Sequence, residues 1–257
     1  MTELERLLPA VRDLARAAGA VILRHYTTDV AVSIKPDSTP VTDADKDAEA
    51  VILAGLRALT PDIPIVSEES AMPSVGERFW LVDPLDGTRE FLKRNGEFTV
   101  NIALIEDHRP VLGVLHVPAR DVSYQALGPG SAMMVAGDGP PRPISARAPA
   151  AEGLVVLVSR SHSEKESLNQ FLADFPVKER VLCGSALKFG LVAAGEADLY
   201  VRLGRTMEWD TAAGHAVLTA AGGSVRRLDG TELLYGKPGF ENPHFIAQGP
   251  GVPEPRK

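Results

Sequence analysis

The order of the apolar segments changes near residue 150, and this change constrains the fold more than any other feature of the sequence. Two amphipathic helices and then a series of strands come before it, whereas short strands alternate with helices after it. This order is typical of sheets covered by helices. We predict an α+β domain over 1–150 and an α/β domain over 151–257, with irregular Gly- and Pro-rich structure over 128–151 at the boundary.

The spacing of apolar residues predicts the individual elements. Apolar side chains recur every three or four positions over 4–26 and 44–59, which predicts two helices, the second capped by Thr42 or Asp43. The segment EDHRP predicts a hairpin loop. The predicted strands are 63–66, 79–82, 98–105, 111–117, 154–158, 177–182 and 197–201. The predicted helices of the second half are about 163–175, 185–195 and 210–221.

The charge and composition of the chain exclude some classes of protein. The formal net charge is -7 without a compensating basic run, so we predict no binding to nucleic-acid polymers. The single cysteine, Cys183, cannot form an internal disulfide, which suits a reducing compartment. The apolar runs are too short to span a bilayer. We predict a soluble cytoplasmic protein, with peripheral association at the inner membrane face as an open alternative.

Acidic residues stand at the ends of predicted elements in three places. Asp83 and Asp86 end an apolar run in WLVDPLDGTREF, and Glu68 follows the run IPIVS. Asp210 opens the predicted helix of EWDTAAGHAVLTAAGG. Taken alone, Asp86 and Gly87 are equally well explained by a tight turn, but three such acidic groups favour a common site.

Carboxylates that meet in space repel one another unless cations or protons neutralise them. The candidate ligands are oxygens, with no His or Cys at the spacing of a zinc site, so the sequence favours Mg²⁺ or Mn²⁺. Gly87 and Thr88 stand where a short helix is predicted to begin, and their backbone amides can hold a phosphate. The segment therefore predicts a metal and phosphate site.

Several segments carry a resemblance to a known family. Three resemble the signature segments of the inositol monophosphatase superfamily of magnesium-dependent, lithium-sensitive phosphatases: SEES at 67–70, WLVDPLDGT at 80–88 and WDTAAGHAVLTAAGG at 209–223. Others are similar to its bacterial 3′(2′),5′-bisphosphate nucleotidases: PVTDAD at 40–45, SRSH at 159–162 and GSALKF at 184–189. The resemblance implies a layered α-β-α-β-α sandwich. It also implies two or three Mg²⁺ ions, with Mn²⁺ as a substitute.

The resemblance implies roles for individual residues. The implied metal ligands are the side chains of Glu68, Asp83, Asp86 and Asp210 and the backbone carbonyl of Leu85. The implied catalytic residues are Asp45, Glu68 and Thr88. The implied substrate-binding residues are Glu68, Leu85, Asp86, Gly87, Thr88, His162, Ser185, Lys188, Arg202 and Asp210. Without the resemblance, Asp45 is also explained as a charge in the first turn of a helix, and Lys188 and Arg202 as surface charges.

These residues predict direct attack of water on a phosphate monoester, because metal binding lowers the pKa of water. Ser159 and His162 are not favoured as nucleophiles, since they lack an evident base. Ser185 and Lys188 are predicted on one helix face, where with Arg202 they hold a second phosphate or a ribose.

The leading hypothesis is removal of the 3′-phosphate of adenosine 3′,5′-bisphosphate, or of its sulfated form, in sulfur assimilation. The alternatives are an inositol or sugar monophosphatase with the same metals, and a metal-binding interaction protein without catalysis.

Overall fold

The computed structural model describes residues 2–27, 32–34, 40–70, 74–160 and 165–253. The described α-helices are α1 (Glu3–Tyr26), α2 (Asp43–Leu59), α3 (Thr88–Leu92), α4 (Lys165–Phe171), α5 (Leu187–Ala193) and α6 (Ala212–Ala220). The described strands are β1 (Val32–Ile34), β2 (Pro40–Thr42), β3 (Ile65–Ser67), β4 (Arg78–Asp86), β5 (Thr99–Glu106), β6 (Arg109–Val117), β7 (Val122–Ala126), β8 (Met133–Ala136), β9 (Arg142–Pro143), β10 (Leu154–Ser159), β11 (Val177–Cys183), β12 (Leu199–Arg202), β13 (Ser224–Arg227) and β14 (Phe245–Gln248).

The first half of the chain builds a sheet of seven described strands in the order β3-β4-β5-β6-β7-β8-β9. β3 and β4 are parallel, and the other neighbours are antiparallel. α1 and α2 cover its outer face, because their apolar stripes pack against side chains such as Trp80 and Ile102. The Trp80 indole nitrogen donates to Thr60 Oγ1 at 2.9 Å, so the polar atom of this buried ring is satisfied.

The second half builds a sheet of five described strands in the order β11-β10-β12-β14-β13. α5 and α6 lie between the two sheets, where Phe189 and Val217 share one buried cluster with Leu81 of the first sheet and Phe245 of the second. α4 covers the outer face of the second sheet through residues such as Phe171. The layers follow the order α-β-α-β-α, and the predicted sandwich is confirmed.

Most of the predicted elements are present with small shifts of their ends. The Thr42 hydroxyl accepts a hydrogen bond from Ala44 N, so Thr42 rather than Asp43 caps α2. The hairpin between β5 and β6 turns at Asp107 and His108, whose positive φ angles suit a tight two-residue turn.

Three details of the sequence prediction are wrong. The stretch 128–151, predicted to be irregular, contains β8 and β9, which extend the first sheet. Asp210, predicted to open a helix, ends a 3-10 turn over Glu208–Asp210, and α6 begins two residues later. Five further described strands, β1, β2, β7, β13 and β14, have no counterpart in the prediction.

The change from the first sheet to the second falls near residue 150, where the domain boundary is predicted. Residues of both halves share the middle layer, so the division into two domains stays a prediction. None of the described helices is long and apolar enough to cross a membrane.

α6 packs closely against β6, and Gly113 makes this approach possible. A Cβ atom at residue 113 would lie 2.5 Å from the carbonyl oxygen of Ala213 and 2.7 Å from Cβ of Ala216. Asp210 lies just before α6, so the distance between the first sheet and this helix also determines how near Asp210 comes to the acidic residues of β4.

We expect Gly113→Ala to lower the free energy of unfolding by about 1–3 kcal/mol, because the added methyl group forces α6 away from the sheet. Urea unfolding followed by circular dichroism measures this change. Gly76→Ala is the matched control, since a Cβ atom there has no other atom within 4 Å. Equal stability of the two variants would contradict the close packing of α6.

Candidate metal and phosphate site

Parallel pairing of β3 with β4 brings the first two acidic residues together. Ser67 pairs with Val82, so Glu68 follows at the level of Asp83, and Glu68 N donates to the Val82 carbonyl at 3.2 Å. Asp210 lies in the 3-10 turn Glu208–Asp210, before α6, and this turn contacts both β4 and β5. Residues from three distant parts of the sequence therefore meet at one end of the first sheet.

One carboxylate oxygen from each of Glu68, Asp83 and Asp210 lies within 4.8 Å of the other two. Asp83 is 1% exposed, and no described residue donates a hydrogen bond to its Oδ2 atom. Glu68 lies beside it, and the two carboxyls can share a hydrogen bond only when one of them is protonated. Burial, and then the charges of Glu68, Asp86 and Asp210, raise the pKa of Asp83 well above its ordinary value.

A hard cation fits this set of donors. It would neutralise charges that otherwise repel one another, and it would supply the missing partner of Asp83 Oδ2. The set consists of carboxylate oxygens, which suit Mg²⁺, Mn²⁺ or Ca²⁺ better than zinc.

A bulge in β4 turns Asp83 and Asp86 to the same face of the sheet. Residues three apart on a regular strand point to opposite faces. Here Asp83 pairs with Asn101 and Asp86 with Thr99, so three steps along β4 match two steps along β5. Pro84 lies in this bulge, where its missing N–H breaks no regular pairing. β4 therefore continues through the bulge as one strand to Asp86, rather than ending in a turn.

Asp86 also contacts the second half of the chain. The backbone N–H of Ala186 donates to Asp86 Oδ2 at 2.5 Å. Desolvation raises the pKa of Asp86 to about 6, while the nearby Lys188 ammonium and the Ala186 amide act in the opposite direction. This contact joins the loop between β11 and α5 to the acidic cluster.

Asp210 is held within its own turn. The Met207 N–H donates to Asp210 Oδ2 at 2.9 Å. Burial, followed by the charges of Asp86 and Glu68, raises the pKa of Asp210 well above its ordinary value, against the opposing effects of the Met207 amide and Arg202.

Asp45 and Thr88 are in contact, as the resemblance implies. Thr88 Oγ1 donates to Asp45 Oδ1 at 3.3 Å and lies 3.5 Å from the Leu85 carbonyl oxygen. The second oxygen of Asp45 accepts from Thr42 N at 2.8 Å and from Thr42 Oγ1 at 2.7 Å. Asp45 thus completes the capping box of α2 and orients the Thr88 hydroxyl at the same time.

Gly87 separates β4 from α3 and has a φ angle of 89°, which favours glycine. A Cβ atom there would also lie 3.2 Å from Cβ of Ser185. Any other residue would strain the backbone and crowd the loop of the second half.

Lys188 is buried rather than a surface charge, with 3% of its surface exposed. Its ammonium donates to the carbonyl oxygens of Cys183 at 3.3 Å and Ser185 at 2.5 Å and lies 4.9 Å from the centre of the Tyr200 ring. Ser185 precedes α5 and has a φ angle of 49°, so the prediction that it shares a helix face with Lys188 is wrong.

Arg202 is also buried, with 5% exposure, and its guanidinium donates to Ser159 Oγ at 2.9 Å and to the Arg205 carbonyl at 2.7 Å. Ser159 pairs with Cys183 at the ends of the parallel strands β10 and β11. Lys188 and Arg202 therefore lie near the carboxyl ends of β10, β11 and β12. His162 falls outside the described residues, and the substrate-binding roles of all three stay predictions.

Sequence analysis missed two acids, the half-buried Glu97 and the buried Glu208, that hold the loops around the site. Glu97 accepts from the Gly184 N–H at 2.8 Å and forms an ion pair with Arg160 at 2.9 Å. Glu208, with 0% exposure, accepts from the Gly236 N–H at 2.6 Å and pairs with Lys237 at 2.7 Å. Each partner lies far along the sequence, so no local pattern reveals the contact.

Comparison with curated proteins finds close relatives. The model of the inositol monophosphatase family matches residues 3–249. The 3′(2′),5′-bisphosphate nucleotidase CysQ of Escherichia coli O6:H1 is 47% identical over 255 residues, which cover 93% of this chain and 98% of that protein. The enzyme of the same name from Haemophilus influenzae is 35% identical, over 95% of this chain and 93% of that protein.

Solved structures give the same result. CysQ from Bacteroides thetaiotaomicron, a bacterial member of the inositol monophosphatase family, has a TM-score of 0.81 and 36% identity, over 93% of this chain and 96% of that chain. The inositol monophosphatase from Anabaena (Nostoc) sp. PCC 7120 has a TM-score of 0.76 and 28% identity, over 98% of this chain and 93% of that chain.

We expect Asp83→Asn to stabilise the protein in excess chelator by about 1–3 kcal/mol, because the change removes a repelling charge from a buried site. Because the pKa of Asp83 is raised in the folded state, the folded state binds this proton more tightly than the unfolded state does. Wild-type stability therefore falls as the pH rises. The difference in melting temperature between Asp83→Asn and the wild type should widen from pH 5 to pH 8. Thermal melts over this range measure the effect.

Asp62→Asn, which removes an exposed acid, is the control and should leave the melting temperature unchanged. A lower melting temperature of Asp83→Asn at pH 8 in chelator would show that the carboxylate makes favourable contacts without a cation.

Proposed function

This chain belongs to the inositol monophosphatase family, and we propose that it is a 3′(2′),5′-bisphosphate nucleotidase that removes the 3′-phosphate of adenosine 3′,5′-bisphosphate to give AMP. The sulfated nucleotide is a second candidate substrate, and the activity serves sulfur assimilation. The observation that carries the proposal is the convergence of Glu68, Asp83 and Asp210 beside two buried cations. The relatives named as nucleotidases are also more similar to this chain than the inositol monophosphatase of Anabaena is.

We propose that the metal is Mg²⁺ and that two or three ions bind, with Mn²⁺ as a substitute. The residues that would hold them are the side chains of Glu68, Asp83, Asp86 and Asp210 and the carbonyl of Leu85. When bound, Mg²⁺ lowers the pKa of water and neutralises charge on phosphoryl oxygens.

The residues of the first half position the water and the phosphate. Because Thr88 Oγ1 donates its hydrogen to Asp45, its lone pairs are left to accept a hydrogen bond from the attacking water. Glu68 belongs to the same cluster of carboxylates and can accept the proton that this water loses. The backbone N–H groups of Gly87 and Thr88 are the proposed donors to the phosphoryl oxygens.

The second half supplies the recognition of a second phosphate. Lys188 lies near enough to Asp86, and Arg202 near enough to Asp210, to counteract part of the rise in the pKa of each carboxyl. Both cations therefore border the acidic cluster, on the side of the second sheet. A nucleotide bisphosphate offers them a second anionic group, whereas an inositol monophosphate does not.

We propose a cytoplasmic location, which the single buried cysteine supports. Peripheral attachment to the inner membrane face stays a prediction. An inositol or sugar monophosphatase with the same metal site is the alternative enzyme, and a substrate panel separates the two.

We expect release of phosphate from adenosine 3′,5′-bisphosphate in Mg²⁺, no release in excess chelator, and no support from Ca²⁺, which binds the same oxygens with looser geometry. Asp210→Asn should lower kcat/KM by about a hundredfold or more, because it removes a charge that holds the metal. A malachite green assay measures both effects, with Asp62→Asn as the control. Full activity in chelator would contradict a metal-dependent mechanism.

We expect Lys188→Met to lower kcat/KM for adenosine 3′,5′-bisphosphate about ten- to a hundredfold and to change that for inositol 1-phosphate much less, because a charge-assisted contact is worth roughly 1.5–3 kcal/mol. Methionine keeps the aliphatic stem beside Tyr200. Arg205→Ala, which removes an exposed cation just beyond the end of β12, is the control. An equal loss on both substrates would mean that Lys188 only supports the loop through Cys183 and Ser185.

A further inference from the structure

Two polar side chains of β5 face the acidic residues of β4. Asn101 is the register partner of Asp83, and Thr99 is the partner of Asp86. Paired residues on antiparallel strands share a face of the sheet, with their Cβ atoms about 4.5–5.5 Å apart. This face is turned towards the middle layer, since Ala103, two residues after Asn101, lies in the buried cluster there.

Asn101 is buried without satisfying its hydrogen-bonding groups. It is 1% exposed, and both Oδ1 and Nδ2 of its amide lack a partner among the described residues. Thr99 Oγ1 is likewise buried and unpartnered. Each buried polar group without a hydrogen-bond partner destabilises the folded state, so an apolar residue of similar size would be more stable at position 101.

The same fold satisfies a buried amide elsewhere. Nδ2 of Asn242 donates to the Met207 carbonyl at 2.7 Å and to Thr211 Oγ1 at 3.0 Å. Among the described residues, Oε1 of Gln125 is unpartnered as well, so what distinguishes Asn101 is that both polar atoms of its amide lack a partner directly beside Asp83.

We propose that Asn101 is a positioning residue of the metal centre, an inference that rests on the proposed function. Oδ2 of Asp83 lacks a donor, and Nδ2 of Asn101, on the neighbouring strand, lacks an acceptor. With a cation held by the acidic residues, the Asn101 amide would donate to the Asp83 carboxylate and keep it in one orientation. Oδ1 of Asn101 would remain free to accept a hydrogen bond from water, which Mg²⁺ sites usually keep.

The contacts of Asn101 would thus form only with the ion in place. Groups that orient a ligand in this way change metal affinity by about 10- to 100-fold when they are lost. A residue that only filled space would have no such effect.

The test measures Mg²⁺ binding by isothermal titration calorimetry on the whole protein, without substrate. Asn101→Leu and Asn101→Ala should weaken Mg²⁺ affinity about 10- to 100-fold. The urea midpoint of Asn101→Leu in chelator should equal or exceed that of the wild type, because an unsatisfied amide is removed. The alanine variant decides the outcome if the leucine variant does not fold.

Gln125→Met is the matched control, since Gln125 is also buried in the first sheet with an unpartnered Oε1, on a strand remote from the acids. Wild-type affinity in the Asn101 variants, or an equal loss in Gln125→Met, would overturn the inference while leaving the nucleotidase proposal intact. A wild-type protein that binds no Mg²⁺ would instead refute the proposed function and, with it, the role of Asn101.

Discussion

Mutual repulsion of buried carboxylates is the constraint on which the rest of this structure depends. Glu68, Asp83 and Asp210 bring oxygens within 4.8 Å of one another, with Asp83 buried and the other two half-buried. Burial and like charge both disfavour the ionised form, which is why the pKa values of Asp83 and Asp210 rise together. Such a cluster persists only if the surrounding fold holds its members in place without help from the site itself.

The fold meets this requirement by fixing each acid through backbone geometry. Parallel pairing with β3 and the bulge of β4 fix Glu68, Asp83 and Asp86, and close packing at Gly113 positions the helix that follows Asp210. An ion pair outside the cluster, between the buried Glu208 and the half-buried Lys237, holds an adjoining loop. Leaving the buried Glu208 carboxylate without its partner is costly, so this contact resists the repulsion at the centre.

The sequence predicts this site better than it predicts the structure around it. Glu68, Asp83 and Asp86 follow short apolar runs, IPIV and FWLV, so their place at strand ends can be inferred from the chain alone. The bulge cannot, because Pro84 and Leu85 are equally compatible with a turn until the register with Thr99 and Asn101 is known. The burial of Lys188 depends on contacts formed by the tertiary fold, and a lysine in a sequence is more often exposed.

The two buried cations connect the metal site to the choice of substrate. Lys188 and Arg202 oppose the rise in the pKa values of Asp86 and Asp210, so they offset part of the repulsion within the cluster. They also border the space where a second phosphate is proposed to bind. A bound bisphosphate would share these cations with the acids. Substrate binding and metal binding would then be coupled, because a change to Lys188 or Arg202 alters the free energies of both binding steps.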